Sequence, residues 1–399
     1  MTTGNRQDST PPSRQIPRGV WVLGFVSLLM DISSEMIHSL LPLFMVTVLG
    51  SSALTIGFIE GMAEATALMV KVFSGTLSDY LGRRKGLALL GYGLGALTKP
   101  LFAIATGSGL ILTARLLDRI GKGIRGAPRD ALVADLTPLE LRGAAFGLRQ
   151  SLDTVGALLG PLLAVGLMLL WHDDFRAIFW LAVIPGLASV ALLAIGLREP
   201  KESDRRERRD SLRRLGKPYR WVLLIGALFT LARFSEAFLV LRAQQSGMAL
   251  ALVPLVMVAM NLIYALSAYP FGRLSDRMSH RTLLIWGLLV LIAADLVLAT
   301  STHWGVLLAG VMLWGIHMGM TQGLLAAMVA ATAPADLRGS AFGFFNLICG
   351  LAMLLASLLA GLLWDHLGPA FTFYAGAACC LLTLLVLNKY QPPISTTVP

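Results

Sequence analysis

Charged residues are scarce in this 399-residue chain, where Asp, Glu, Lys and Arg together supply 14% of the sequence. A soluble domain usually carries about 25%. Hydrophobic residues supply 56%, and the mean hydropathy is +0.71. The chain has too little charge to cover a soluble fold of this length, and its composition is typical of a membrane protein.

Cysteine is also rare, since the chain has only Cys349, Cys379 and Cys380, and each lies in an apolar run. A disulfide framework is therefore not expected. The first 18 residues are polar and lack the apolar core and small-residue cleavage site of a signal peptide. We interpret residues 1–18 as a cytoplasmic tail.

Catalytic motifs are absent as well. The sequence contains no Gly-x-Ser-x-Gly elbow, no His-Glu-x-x-His pair and no phosphate-cradling glycine loop. We therefore expect no enzyme activity, and no cofactor is implied. The net charge of +10 does not indicate nucleic-acid binding, because the basic residues fall mainly between apolar runs and not on a soluble face.

Long apolar runs are what the sequence does contain. About 20 mostly apolar residues span the hydrocarbon core of a bilayer. Runs of this kind begin near residues 19, 54, 86, 109, 143, 176, 221, 249, 283, 304, 339 and 369. The sequence thus predicts an all-α membrane protein with twelve transmembrane helices.

The connectors between these runs alternate in charge. Basic residues concentrate in the N-terminal tail and in every second connector, whereas the other connectors are short and nearly uncharged, with WHDDFR at residues 171–176 as the exception. The positive-inside rule then places both termini in the cytoplasm. We expect a multi-pass protein of the bacterial cytoplasmic (inner) membrane.

The longest basic connector, residues 198–220, divides the chain into two sets of six spans. The prediction is an N-terminal bundle at residues 19–197, this linker, a C-terminal bundle at residues 221–389 and a cytoplasmic tail at residues 390–399. LSDYLGRR at Leu77 matches LSDRMSHR at Leu274, and LRGAAFG at Leu141 matches LRGSAFG at Leu337. Parallel repeats of this kind place a substrate site between the bundles at mid-depth.

In these repeated sequence motifs the chain resembles the major facilitator superfamily, and the resemblance extends over essentially its whole length. GTLSDYLGRRK and GRLSDRMSHR resemble the two copies of that family's cytoplasmic loop motif. The resemblance implies transport by alternating access, with an acid such as Asp79 latching the bundles by pairing with basic groups and helix N-termini. The implied gate residues are Gly75, Asp79, Gly82, Arg83 and Arg84 in the first copy, and Gly272, Asp276 and Arg281 in the second.

In the fifth predicted helix, Gly147, Gly156, Gly160 and Pro161 reproduce the spacing of a superfamily motif associated with antiporters. The terminal glycine pair of that motif is absent. Small residues also let helices pack closely, and a proline kinks a span, so ordinary helix packing is an alternative. The resemblance favours export.

Charged residues inside the predicted spans are the main functional signal. A charge at the centre of a transmembrane helix costs about 2.5–3.5 kcal/mol on insertion scales, so such groups normally face an aqueous cavity. Asp31, Glu35 and His38 share one face of the first span, and Glu60 and Glu64 share one face of the second. We predict that the four acids couple transport to protons, with Glu35 as the central carboxylate and Asp31 as its relay.

The fourth span carries a basic stripe, and the second half is less charged. The predicted substrate cavity comprises His38, Arg115, Arg119, Arg149, Asp153, Arg233, Glu236, Asn261, His317, Gln322 and Asn346. The role of His38 stays open between proton relay, substrate contact and packing. For Arg149 and Asp153, a structural ion pair is an equal alternative.

The sequence therefore predicts a monomeric, proton-coupled exporter of a small organic solute or drug. Proton-coupled uptake is the alternative, including uptake of a metal ion or metal complex, since His317, Met318 and Met320 lie together. Successive residues on one helix cannot all face one ion, and no resident metal site is predicted. A receptor that does not transport is a further alternative, but it would need neither gating loops nor paired intramembrane acids.

Overall fold

The computed structural model describes residues 16–81, 84–197, 215–275, 278–321, 323–334 and 337–389. The side chains of residues 75, 76, 78–81, 139, 275, 338 and 339 are not part of that description. Four predicted functional residues, Gly82, Arg83, Asp276 and Gln322, lie outside the described residues, as does the side chain of Asp79.

The described residues form sixteen α-helices. They are α1 (Arg18–His38), α2 (Leu41–Thr47), α3 (Ala53–Leu81), α4 (Arg84–Ala103), α5 (Ser108–Leu136), α6 (Arg142–Leu170), α7 (Phe175–Leu181), α8 (Val183–Gly196), α9 (Lys217–Leu231), α10 (Ala237–Gln245), α11 (Leu255–Ser275), α12 (His280–Thr300), α13 (Trp304–Thr321), α14 (Leu324–Thr332), α15 (Arg338–Leu367) and α16 (Pro369–Lys389).

Among the described residues, ten segments are long and apolar enough to cross a bilayer, and α1 with α2, α7 with α8, and α13 with α14 each make one of them. The chain is therefore a multi-pass membrane protein. Helix α5 falls short of this criterion because of its charges, and α9 and α10 because a break leaves 15 and 9 helical residues. The count of twelve spans stays a prediction.

Glycine contacts set the helix crossings in the first half. A Cβ on Gly91 of α4 would lie 2.6 Å from the carbonyl oxygen of Gly121 on α5. A Cβ on Gly156 of α6 would lie 2.7 Å from the carbonyl oxygen of Leu28 on α1. Because lipid offers no hydrophobic drive for helix association, such close van der Waals contacts hold the helices together.

The two halves of the chain meet along α3 and α15. A Cβ on Gly57 of α3 would lie 2.1 Å from the carbonyl oxygen of Ser357, and one on Gly361 of α15 would lie 2.6 Å from the carbonyl oxygen of Ala53. No larger residue fits at either position without moving a helix backbone. The halves are therefore in direct backbone contact near the start of α3.

A carboxylate also joins the two halves at this contact between α3 and α15, which we call the α3–α15 seam. Asp365, near the end of α15, accepts hydrogen bonds from the backbone N–H groups of Ala53 at 3.1 Å and Leu54 at 2.8 Å. These are unpaired donors in the first turn of α3, where the helix dipole also favours a negative charge. The first half is thus capped by a side chain of the second.

We predict that Asp365→Ala loosens the seam at this end by about 0.5–2 kcal/mol, as for other helix caps. Hydrogen exchange of the Ala53 and Leu54 amides should become faster. Asp174→Ala is the matched control, because Asp174 accepts from the backbone of Ala177 at 3.1 Å and caps α7 within the first half. Unchanged exchange at the start of α3, or equal acceleration in the control, would contradict the prediction.

Candidate functional site

Two ion pairs join α3 to α5. Arg115 donates to both carboxylate oxygens of Glu60, with Nε 3.0 Å from Oε1, and Arg119 Nη2 lies 3.0 Å from Glu64 Oε1. A spacing of 55 residues separates Glu60 from Arg115, and the same spacing separates Glu64 from Arg119. The two helices therefore run side by side in the same direction. We call the two pairs together the α3–α5 ladder.

The two pairs of the ladder differ in their exposure to solvent. The side chains of Glu60 and Arg115 are 2% and 4% exposed, whereas that of Glu64 is 34% exposed. A bidentate, dry ion pair is held rigidly, and losing either partner would leave a buried charge uncompensated. Glu60 therefore serves as an anchor, and Glu64 can exchange its partner for water or solute.

His38 links the acids of α1 to the ladder. Its Nδ1 lies 3.4 Å from Glu35 Oε2, and its Nε2 lies 3.4 Å from Glu60 Oε2. A protonated imidazole donates from both nitrogens, whereas a neutral one donates from only one. The imidazole is thus placed between a buried acid and a partly exposed one, as a proton relay would require.

Asp31 lies one turn before Glu35 on the same face of α1. It is half-buried, and it has no hydrogen bond or ion pair in the part of the chain that the structure describes. The charged groups that act on it from neighbouring helices are Asp153 of α6 and Arg125 and Lys122 of α5. Asp31 is therefore unpaired beside both acidic and basic groups.

Glycines of α6 hold this acidic face in place. A Cβ on Gly156 would lie 2.9 Å from the Cβ of Asp31, and one on Gly160 would lie 2.6 Å from the Cβ of Glu35. Pro161 is buried inside the same helix. The prediction for Gly147 is wrong, because a Cβ there would meet nothing within 4 Å. Gly147 lies about two turns before the crossing with α1.

Arg149 and Asp153 form an ion pair on α6, with Arg149 Nη1 2.5 Å from Asp153 Oδ2. Arg129 and Asp130 of α5 complete a four-residue cluster through contacts of 3.2 to 3.9 Å. This geometry matches the structural alternative that the sequence left open. The cluster ties α5 to α6, and its charges largely neutralise one another.

Lys99 of α4 is a buried charge that the sequence analysis missed. Its Nζ donates to Asp118 Oδ1 of α5 and to Ser34 Oγ of α1, both at 2.9 Å. The residue is 1% exposed. The sequence does contain a signal for this contact: Lys99 is the one charged residue in the apolar segment ALTKPLF, and an isolated charge within a membrane span requires a partner.

In the second half, Arg233 and Glu236 lie in the break between α9 and α10, and both are half-buried. Electrostatic interactions couple Glu236 to His38, Arg233, Glu35 and Glu64. The guanidinium of Arg233 lies 5.8 Å from the ring centre of Phe229. The predicted place of Arg233 and Glu236 in the substrate cavity stays a prediction.

The other predicted second-half residues lie elsewhere. Asn261 of α11 donates to the carbonyl oxygen of Ala157 at 3.4 Å and so belongs to the contact between halves. Asn346 is half-buried on α15. The placement of His317 on the cavity wall is wrong. The residue is 0% exposed, and its Nδ1 lies 2.8 Å from the carbonyl oxygen of Gly287 because α12 and α13 pack closely there.

The predicted gate residues that the structure describes make local contacts. Arg84 pairs with Asp135 and so joins the start of α4 to the end of α5. Arg281 donates to the carbonyl oxygen and Oδ1 of Asn388 at 3.3 and 3.2 Å. Gly75 lies in α3 and Gly272 in α11. The gating role itself stays a prediction.

Metal ligands do not gather in the described ranges. No group of three or more His, Cys, Asp or Glu residues there could hold a metal ion. The three cysteines are free. The acids and bases of the site are instead bound to one another, which suits proton transfer and solute binding better than metal coordination.

Comparison with known proteins gives consistent matches. The family profile described as the Major Facilitator Superfamily matches residues 23–241 and, in a second match, residues 222–398. The uncharacterized MFS-type transporter MJ1317 of Methanocaldococcus jannaschii is 33% identical over 390 residues, which cover 96% of this chain and 97% of the relative. The quinolone resistance protein NorA of Staphylococcus aureus is 20% identical over 93% of this chain and 96% of its own.

A solved structure shows the same fold. The crystal structure of a POT family transporter in complex with 5-aminolevulinic acid superposes with a TM-score of 0.79 at 15% identity. The match covers 93% of this chain and 96% of that one.

We predict that Glu60→Gln lowers the stability of the folded protein by about 3–5 kcal/mol, because it leaves Arg115 as an unpaired buried charge. Thermal unfolding of the purified protein measures the loss. Glu64→Gln is the matched control and should cost far less, since Glu64 is 34% exposed and Arg119 keeps the nearby negative charge of Asp118. Equal losses in the two variants would show that Glu60 is not the anchor.

Proposed function

Because the chain belongs to the major facilitator superfamily, we propose that it is a secondary transporter that exports a small organic solute or drug in exchange for protons. The proposal of proton coupling rests on one observation: Glu35, His38 and Glu60 form a continuous series of contacts, with 3.4 Å between each acid and the imidazole. It reaches from a partly exposed carboxylate to a buried ion pair.

Of the two acids that contact His38, Glu35 is the better placed to take the proton. Its side chain is 21% exposed, and His38 is its only ion-pair partner among the described residues. Glu60, by contrast, is bound by two nitrogens of Arg115. Protonation of Glu35 costs one long contact and the attraction of Lys122 and Arg119, whereas protonation of Glu60 would break a bidentate pair. The proton therefore moves between Glu35 and His38 while Glu60 stays ionised.

Glu236 connects this proton to the movement of the halves. From the break between α9 and α10, it interacts electrostatically with Glu35 and Glu64. Like charges repel strongly where water is excluded. A proton on Glu35 removes one of these charges and favours approach of the two halves, and its loss favours their separation.

Alternating access then requires the α3–α15 seam to open at the Asp365 end while the opposite end closes. By resemblance, Asp79 and its neighbouring basic residues latch that opposite end. Export is supported by the spacing of Gly156, Gly160 and Pro161, and by the similarity to a quinolone resistance protein. We place the chain as a monomer in the bacterial cytoplasmic membrane with both termini in the cytoplasm, because the basic connectors lie on that side.

The test is solute-driven proton flux in proteoliposomes that contain the purified protein, with a fluoroquinolone as the probe solute and an internal pH dye. Glu35→Gln should lower proton flux about tenfold or more, in the range of typical coupling energies, while solute counterflow at equal pH persists. Glu140→Gln, a matched change at an exposed residue outside the spans, should behave as the wild type.

Wild-type proton flux in Glu35→Gln would remove Glu35 from the coupling mechanism. Solute entry that acidifies the interior, in place of exchange, would instead establish proton-coupled uptake.

A further inference from the structure

Asp118 lies among more cations than it can bind. Lys99 contacts it at 2.9 Å, and Arg119 follows it directly in the chain. Arg125 lies two turns further along the same face of α5. A Cβ on Gly95 would be 3.1 Å from Arg125 Nη1 and 3.6 Å from Asp118 Oδ1, so both groups reach the same small space beside α4.

The structure shows one of the possible pairings. Asp118 is bound to Lys99, and Arg119 turns to the other side of α5 and binds Glu64 at 3.0 Å. Two cationic groups keep unused donors, since Arg119 Nε and Arg125 Nη1 are buried without a hydrogen-bond partner among the described residues. Arg125 is held instead over the ring of Tyr92, 4.8 Å from its centre.

The pairing has a physical cause. Lys99 reaches Asp118 from α4 with a compact ammonium group that also donates to Ser34. It therefore neutralises the carboxylate from α4, a helix that is not part of the α3–α5 ladder. If this charge were missing, Asp118, which is 4% exposed, would lose its hydrogen-bonded counter-charge. The nearest guanidinium groups with unused donors would be drawn to it, because burial strengthens their attraction.

We propose that Lys99 is a positioning residue that keeps Arg119 available for Glu64. By neutralising Asp118 from α4, it leaves the guanidinium of Arg119 facing Glu64. Through Ser34 it also fixes α1 next to Glu35. The inference rests on the proposed function only in giving the Glu64–Arg119 pair a role in transport, since the partner choice itself is a property of the folded protein.

The first experiment measures the partner choice without any transport assay. A double-mutant cycle of Glu64→Gln and Arg119→Gln, followed by thermal unfolding of the purified protein, gives the coupling between the two residues. The coupling should be present with Lys99, absent in the Lys99→Met background and restored in Lys99→Met/Asp118→Asn. Lys99→Arg should retain at least part of it.

An undiminished Glu64–Arg119 coupling in Lys99→Met overturns the proposal. The same is true if Asp118→Asn restores the unfolding temperature of Lys99→Met but not the coupling, because Lys99 would then serve only to neutralise Asp118. Tyr92→Phe is a control that should leave the coupling unchanged, since it keeps the ring under Arg125 and removes only the hydroxyl group bonded to Ser27.

The second experiment uses the pH profile of solute exchange in proteoliposomes. The midpoint of the profile should shift in Lys99→Met and return in Lys99→Met/Asp118→Asn, whereas a purely structural lysine would change the amount of active protein and leave the midpoint in place. If solute exchange by the wild type is not coupled to protons, only the proposed function is contradicted. The double-mutant cycle is measured by thermal unfolding and does not depend on transport.

Discussion

A charge inside a membrane protein must find its counter-charge inside the protein, because hydrocarbon cannot solvate it. In this chain that requirement is met chiefly by the buried Glu60–Arg115 pair. The pair fixes the register between α3 and α5, and the register in turn brings Glu64 to Arg119. His38 then attaches α1 to the same pair, so the acidic face of α1 and the basic stripe of α5 belong to one network.

The two halves of the chain differ in how many charged contacts they contain. The first half holds the ladder, the α5–α6 cluster and the Lys99 contact, and all of these are charged. The second half presents Arg233 and Glu236 at a helix break and buries His317 and Asp295. Asp295 of α12 is 0% exposed, and neither of its oxygens has a partner among the described residues. The first half thus carries most of the charged contacts, which supports the proposal that it handles the proton and that the second half responds through Glu236.

Much of this arrangement follows from the sequence. Composition and run length predict a membrane protein, and the family membership implied by the loop motifs is confirmed by the profile match. Spacing within one helix predicts which residues share a face, as for Asp31, Glu35 and His38. It does not predict which neighbouring helix that face meets. For this reason the bridge from His38 to Glu60, the Lys99 contact and the burial of His317 were not foreseen, and Gly147 was wrongly grouped with Gly156 and Gly160.

The central claim is that Glu35 takes up the proton while Glu60 stays ionised against Arg115. Infrared difference spectroscopy of the purified protein in lipid tests it most directly, because a protonated carboxyl group has a C=O stretching band that a carboxylate lacks. Other acids of the chain also take up protons, so the account predicts that acidification of the wild type and of Glu140→Gln gives one band component that Glu35→Gln lacks. Persistence of the full band in Glu35→Gln would contradict the account, because the proton would then reside on another acid.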